Sequence, residues 1–152
     1  KAGNPAAYPF PRSLLDDDSR LAFSFSGLKT AVRYQISGPG KPLPAPTSLS
    51  PGQVADLAAS FQEAVVDCLV GKALLALRRT GMNVLCVGGG VAANGRFRHK
   101  LEAACAERQI TLHIPPLRLC TDNAVMGAIA VERLKAGLVE PLDLDISPGL
   151  VR

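Results

Sequence analysis

The sequence predicts an α/β fold that contains one long helix and a small parallel sheet. Three observations support this class: an apolar stripe at helical spacing from Val54 to Leu69, an apolar strand at 83–88 that ends in glycines, and a strand–helix–strand pattern through residue 114. Two strands joined by such a helix form a parallel pair with a right-handed crossover. Because parallel sheets are normally covered on both faces and are seldom this small, we expect part of the structure to lie outside the chain.

Composition is compatible with a single domain over residues 1–152. Hydrophobic residues make up 47% of the chain and charged residues 20%, which is enough to bury a core. No apolar run approaches the roughly 20 residues of a membrane helix, and no signal peptide is evident, so we expect a cytoplasmic protein without membrane contact. The net charge of +4 does not by itself identify a nucleic-acid binder. Four cysteines without C-x-x-C spacing predict buried, reduced thiols rather than disulfides or a zinc site.

The N-terminal third is expected to hold little regular structure. Residues 22–26 alternate apolar and polar side chains, which predicts a short half-buried strand. Ser26 would then cap a helix from residue 27 to about 36. The segment at about 37–50 is rich in proline and glycine, and it predicts a mobile loop.

The long helix has clear start and stop signals. Ser50 is a good N-cap, Pro51 suits the first helical position, and Gln53 completes a capping box. Gly81 is a natural residue to end the helix. After it, the pattern predicts a strand at 83–88, a helix at 95–108, a strand at 110–114 and a helix at 123–136.

The glycine-rich turn after the first strand is the most informative feature of the chain. The residues Gly88, Gly89 and Gly90 remove every side chain where the strand ends and leave bare backbone N–H groups beside a helix N-terminus. Such an arrangement suits an anionic or nucleotide ligand. Asn94, at the start of the helix, could hydrogen-bond a ribose or phosphate oxygen, or simply cap the helix.

Asp122 is the second candidate site residue. An acid near a strand end can ligate a metal, bind a magnesium phosphate or cap the next helix, and the pattern alone favours capping. Metal ligation needs further ligands. The two histidines do not supply them, because we expect His99 to lie at the surface and His113 to be packed or hydrogen-bonded. A basic cluster at residues 96–100 either faces a polyanion or is an ordinary solvated face.

Five ordered blocks along the chain resemble the C-terminal half of the TsaD family. The blocks are Tyr8-Pro9-Phe10-Pro11-Arg12, Phe23-Ser24-Phe25-Ser26-Gly27-Leu28-Lys29-Thr30, Ala59-Ser60-Phe61-Gln62-Glu63-Ala64-Val65-Val66-Asp67, Gly89-Gly90-Val91-Ala92-Ala93-Asn94 and Cys120-Thr121-Asp122-Asn123. The family supplies the catalytic subunit for threonylcarbamoyladenosine synthesis in tRNA, and was formerly named O-sialoglycoprotein endopeptidase, or Gcp. The resemblance implies a partial actin/Hsp70-like (ASKHA, ribonuclease H-like) lobe.

The resemblance also implies ligands and partners. Asn94 would contact ATP or threonylcarbamoyl-AMP, with the Gly89 and Gly90 backbone beside it, and Asp122 would ligate a divalent metal, iron or zinc. In this reading the metal holds the threonylcarbamoyl group and polarises its carbonyl. The family's H-x-x-x-H metal pair belongs to its N-terminal half and is not found here. We therefore expect a C-terminal half that needs the missing N-terminal lobe, acts on tRNA with other subunits of the synthesis complex, and is inactive alone.

Other functions remain open at this point. Related carbamoyltransferases share the fold and carbamoyl chemistry, although their corresponding helix usually begins with a different motif. A free-standing half could also be a non-catalytic binding or assembly module, and its exposed sheet edge could drive self-association. The older metallopeptidase label has no support in the residues, because no complete set of metal ligands and base is present.

Overall fold

The computed structural model describes residues 3–42, 49–141 and 143. Its helices and strands, in chain order, are α1 (Ser26–Ser37), α2 (Pro51–Thr80), β1 (Val84–Cys86), α3 (Gly95–Glu107), β2 (Thr111–His113) and α4 (Ala128–Lys135). Short 3-10 helices cover Gly90–Ala93, Leu117–Leu119 and Ala124–Gly127. The predicted α/β class is confirmed. Of the predicted loop at about 37–50, residues 43–48 lie outside the described part.

Helix α2 begins and ends where its signals predict. Ser50 Oγ accepts a hydrogen bond from the backbone N–H of Gln53 at 3.2 Å, and Gln53 Oε1 accepts one from the N–H of Ser50 at 2.9 Å. This reciprocal pair is a complete capping box. Gly81 ends the helix in the left-handed conformation, with φ of 68°, which glycine adopts without steric cost.

The two strands form the predicted parallel pair, with Val84 opposite Thr111 and Cys86 opposite His113. Each strand has three residues, so both are shorter than expected. The last helix is also shorter than the predicted 123–136, because its first turn is the 3-10 helix at Ala124–Gly127. In the part of the chain that the structure describes, none of the helices combines the length and apolar character needed to cross a membrane.

The strand predicted at residues 22–26 is wrong. Residues 20–25 have no regular structure, and α1 begins at Ser26, with Phe25 rather than Ser26 in the N-cap position. A strand needs a neighbour to accept its backbone hydrogen bonds, and the described residues place none beside this segment. The alternating aromatic rings instead stack on each other, with 6.3 Å between the centroids of Phe23 and Phe25.

The main core lies between α2, α3 and one face of the sheet. It contains side chains from α2 (Val66, Val70, Leu74) and from α3 (Phe97, Leu101, Cys105), with Leu85 and Leu112 of the strands packed against them. A second cluster joins α1 to α2 and to the N-terminal segment through Leu28, Leu57 and Phe10. The core therefore holds α3, and the turn that precedes it, in a fixed position on α2.

The other face of the sheet is open. Along both strands the middle residue is partly buried and its two neighbours are exposed, which leaves Cys86 and His113 side by side at the surface. The prediction that His113 is packed or hydrogen-bonded is therefore wrong, because no described element covers this face and the described contacts include no hydrogen bond of its side chain; His99 is exposed, as predicted. All four cysteines are free, and only Cys86 among them is exposed. Burial raises the pKa of the Cys68 and Cys105 thiols.

Candidate functional site

The glycine turn after β1 presents its backbone to open space. Gly89 has φ of 85°, a backbone conformation that residues other than glycine rarely adopt. It is the N-cap of the 3-10 helix Gly90–Ala93. A methyl group built on Gly88, Gly89 or Gly90 would meet no atom within 4 Å. The turn therefore leaves room for a ligand to approach its backbone, and it leads directly into the N-terminus of α3.

Asn94 performs the capping role that the pattern allowed. Its Oδ1 accepts a hydrogen bond from the N–H of Phe97 at 3.0 Å, which satisfies one of the free donors of α3. Its Nδ2 donates to Oε1 of Gln62 on α2 at 2.9 Å. Because an amide nitrogen carries two hydrogens, one donor of Asn94 is left for a ligand. Capping and ligand contact are thus compatible at this residue.

An apolar cleft of about 250 Å³ opens beside Asn94. It lies between α2 and the glycine turn, and its lining is mostly apolar: Phe61, Val65, Val66, Leu69, Val91 and Phe97, with Gln62 and Asn94 as its polar members. Phe61 and Val91 are exposed. Small-molecule sites commonly combine an apolar lining with a few polar groups that orient the ligand.

Asp122 lies on an exposed segment between two 3-10 helices, Leu117–Leu119 and Ala124–Gly127. The interpretation that it caps the following helix is wrong. Asn123 does so instead, because its Oδ1 accepts from the N–H of Val125 at 3.0 Å. The described contacts therefore give the Asp122 side chain no structural role.

Two cations of the basic cluster at the start of α3, Arg96 and Lys100, are paired with acids from α2. Arg96 donates two hydrogen bonds to Glu63, and Lys100 contacts both Glu63, at 2.6 Å, and Asp67. Arg12 completes the network from the N-terminal segment, 3.0 Å from Asp67. The Arg96 hydrogen bonds, aided by Lys100 and opposed by burial, lower the pKa of Glu63 to about 2.

Comparison with known proteins decides the family. The family model described as "TsaD: tRNA N6-adenosine threonylcarbamoyltransferase" matches residues 1–129. The chain belongs to the TsaD family. Curated relatives carry the same name. The protein from Rhodopirellula baltica is 50% identical over 99% of this chain, that from Variovorax paradoxus 47% over 97%, and that from Kosmotoga olearia 40% over 97%.

The matched region is only part of each relative. The chain spans 44% of the Rhodopirellula baltica TsaD, 41% of the Variovorax paradoxus TsaD and 42% of the Kosmotoga olearia TsaD. All the candidate site residues of this chain fall inside the segment that the TsaD model matches.

The described residues do not by themselves form a metal site. Among residues 3–42, 49–141 and 143, no three His, Cys, Asp or Glu side chains come together where they could hold a metal ion. A single exposed carboxylate is a poor ligand set for iron or zinc, which normally take three or four protein ligands. We therefore derive no step of the TsaD reaction through a metal.

The sequence-based prediction assigned no supporting role at the glycine turn to four polar residues near it. Gln62 orients Asn94, Glu63 and Asp67 pair with the cations of α3, and Arg98 contacts both the glycine turn and the segment that precedes Asp122. A signal for the acids was present, because Glu63 and Asp67 are four residues apart and so share one face of α2. Nothing local indicated the partner of Arg98.

Proposed function

We propose that this chain is the C-terminal part of a TsaD enzyme that transfers threonylcarbamoyl from threonylcarbamoyl-AMP to the adenosine next to the anticodon of tRNA. The observation that carries the proposal is the open backbone of the Gly89–Gly90 turn beside Asn94, inside a segment that matches the family. Its fold would be part of an actin/Hsp70-like lobe. A tRNA substrate would place the protein in the cytoplasm.

The nucleotide of ATP or threonylcarbamoyl-AMP is proposed to lie across the turn. Its phosphate would accept hydrogen bonds from the backbone N–H groups of residues 89–91 near the positive end of α3. The free N–H of Asn94 would bind a ribose or phosphate oxygen. The apolar cleft between Phe61 and Val91 is the adjacent space, and it suits the flat face of a base.

Asp122 is proposed as a single ligand to the family's metal, iron or zinc, with the remaining ligands supplied by residues outside this chain. The chain's own contribution to the transfer is then to bind and orient the adenylate. Holding the phosphate of the leaving AMP against fixed backbone dipoles favours its departure, since such groups need no reorganisation during the reaction.

Two exposed apolar surfaces of the chain support the proposal that further protein packs against it. Helix α4 contacts little beyond the 3-10 turn that precedes it, and its side chains Ile129, Val131 and Leu134 are exposed. The open face of the β1–β2 pair is equally uncovered. We propose that the rest of a TsaD protein covers these surfaces, that other subunits of the synthesis complex bind to the assembled protein, and that the isolated chain is inactive.

A chimaeric protein tests this proposal. This chain would replace the matched segment of the Rhodopirellula baltica TsaD, and transfer from threonylcarbamoyl-AMP to tRNA would be measured with the partners which that TsaD requires. We expect activity from the chimaera and none from the chain alone, and we expect Asn94→Ala, but not Arg108→Ala, to reduce it. A folded chimaera without transfer would overturn the proposal.

A non-catalytic assembly module is the second candidate, and the exposed apolar face of α4 favours it. The same chimaera discriminates the two. A module predicts that the chain associates with partners, or with itself through the edge of β1, while every chimaera stays inactive. Size-exclusion chromatography with light scattering would show that association directly.

A further inference from the structure

Arg98 connects the two segments that carry the candidate site residues. It lies on α3, one turn after Asn94, and its backbone N–H donates to the carbonyl of Asn94 at 3.0 Å. The side chain folds back from the helix, and Nε donates to the carbonyl of Ala92 in the glycine turn at 2.6 Å. Its Nη2 donates to the carbonyl of Pro115, and the same nitrogen lies 3.1 Å from Sγ of Cys120.

Arg98 contacts a buried residue on each side. Ala92 is 0% exposed and Cys120 is 1% exposed, while the carbonyl of Pro115 belongs to a half-buried residue. The thiol of Cys120 also lies within 3.7 Å of the carbonyls of Pro115 and Pro116, which can accept its hydrogen. The sulfur is thereby left to accept from Arg98.

The geometry requires a guanidinium. Arginine presents several N–H donors in one rigid plane, so a single side chain can bind carbonyls on two different segments at once. A lysine ammonium is one compact centre at the end of a flexible chain, and it cannot reproduce this bridge. Among the described residues, no other side chain hydrogen-bonds both the 88–93 turn and the 115–123 segment.

We propose that Arg98 is a positioning residue that sets the placement of Asp122 relative to the Gly89–Gly90 turn. Gly90 is two residues before Ala92, and Asp122 is two residues after Cys120, so each candidate site residue lies close in sequence to a residue that Arg98 contacts. The consequence of this bridge for ligand binding rests on the proposed function. A ligand that touches both the glycine turn and the segment around Asp122 would be held in one geometry. Arg98 itself contacts no substrate in this scheme.

Hydrogen–deuterium exchange on the full 152-residue chain tests the bridge without any ligand. We expect Arg98→Ala and Arg98→Lys to speed exchange by about tenfold at the hydrogen-bonded amides of both segments, Ala92 in the turn and Leu119 and Cys120 in the other segment, because the charged hydrogen bonds that close these segments are lost. Arg108→Ala, at the other end of the same helix, should change neither segment. Unchanged exchange at either segment in Arg98→Ala would overturn the positioning role, whether or not nucleotide binds.

A second arm adds ATP at millimolar concentration. In the unmodified chain, ATP should slow exchange at the glycine turn and also at residues 121–123, while in Arg98→Ala only the turn should respond. Equal responses of both segments in the variant would overturn the coupling. If ATP changes nothing in the unmodified chain but Arg98→Ala still loosens both segments, the bridge stands and the nucleotide function fails, so the two failures are distinguishable.

Discussion

The guanidinium of Arg96 faces the carboxylate of Glu63 in an ion pair with two hydrogen bonds, Nε to Oε2 at 2.7 Å and Nη2 to Oε1 at 2.8 Å. The two residues come from α3 and α2, and Lys100 adds a second cation to the same carboxylate. This planar two-bond geometry is among the stronger side-chain interactions in proteins. It fixes the N-terminal turn of α3, and therefore Asn94, against α2.

Replacing Glu63 tests how much this network stabilises the fold. Because Glu63→Gln takes from Arg96 its carboxylate partner among the described residues and leaves Lys100 with Asp67, we expect the free energy of unfolding to fall by about 1–3 kcal/mol in urea denaturation. Glu107→Gln is the matched control, since Glu107 pairs with the neighbouring Arg108 at an exposed site where the effect should stay below about 1 kcal/mol. Equal losses in the two variants would contradict the assignment.

The same carboxylate predicts a dependence of stability on pH. The pKa of Glu63 is lowered in the folded protein from its ordinary 4.5 to about 2, first by the Arg96 hydrogen bond. A carboxylate whose pKa is lowered in the folded state stabilises the protein at a pH above its pKa in the unfolded state. For Glu63 this stabilisation is lost as the pH falls from about 4.5 toward 2. Thermal melts across that range should show a smaller drop in Tm for Glu63→Gln than for the unmodified chain. Parallel curves would contradict the expectation.

Much of the fold follows from local signals, and the failures share one physical cause. Ser50, Gln53 and Gly81 define α2 because capping depends on residues within one turn. The strand predicted at 22–26 is wrong because strand pairing depends on a neighbour that is distant in sequence. The exposure of His113 likewise depends on which elements cover the sheet. The partner of Arg96, Glu63, lies 33 residues away in the sequence. Local patterns located the glycine turn and Asn94 but contained no information on Gln62 or Arg98 as their supports.

Two substitutions at Asn94 separate its capping role from ligand contact. Asn94→Ala removes the acceptor for the N–H of Phe97, and we expect a loss of about 1 kcal/mol in unfolding free energy. Asn94→Ser keeps a capping oxygen and should stay within about 0.5 kcal/mol of the unmodified chain. Both variants lose the amide donor, so both should bind ATP more weakly in calorimetric titration. Full ATP affinity in Asn94→Ser would remove this side chain from the proposed nucleotide site.

Lys72 anchors the N-terminal segment to α2. Its Nζ is buried and donates to the carbonyls of Asp17 at 2.7 Å and Arg20 at 2.9 Å. Lys72→Met leaves both carbonyls without this partner, so we expect a loss of about 1–3 kcal/mol and faster tryptic cleavage after Arg20. Arg79→Met, which removes only an exposed bond to the carbonyl of Ser19, is the control and should change cleavage little.

The glycine turn itself offers the most direct measurement. An NMR titration of the ¹⁵N-labelled chain with ATP would follow every backbone amide and the side-chain amide of Asn94. We predict that the largest shift changes fall on residues 88–91 and on Asn94, and that Gly90→Ala, whose new methyl meets no protein atom within 4 Å, folds normally but loses them. Shift changes confined to other surfaces, or retained in full by Gly90→Ala, would contradict the assignment of this turn as the nucleotide site.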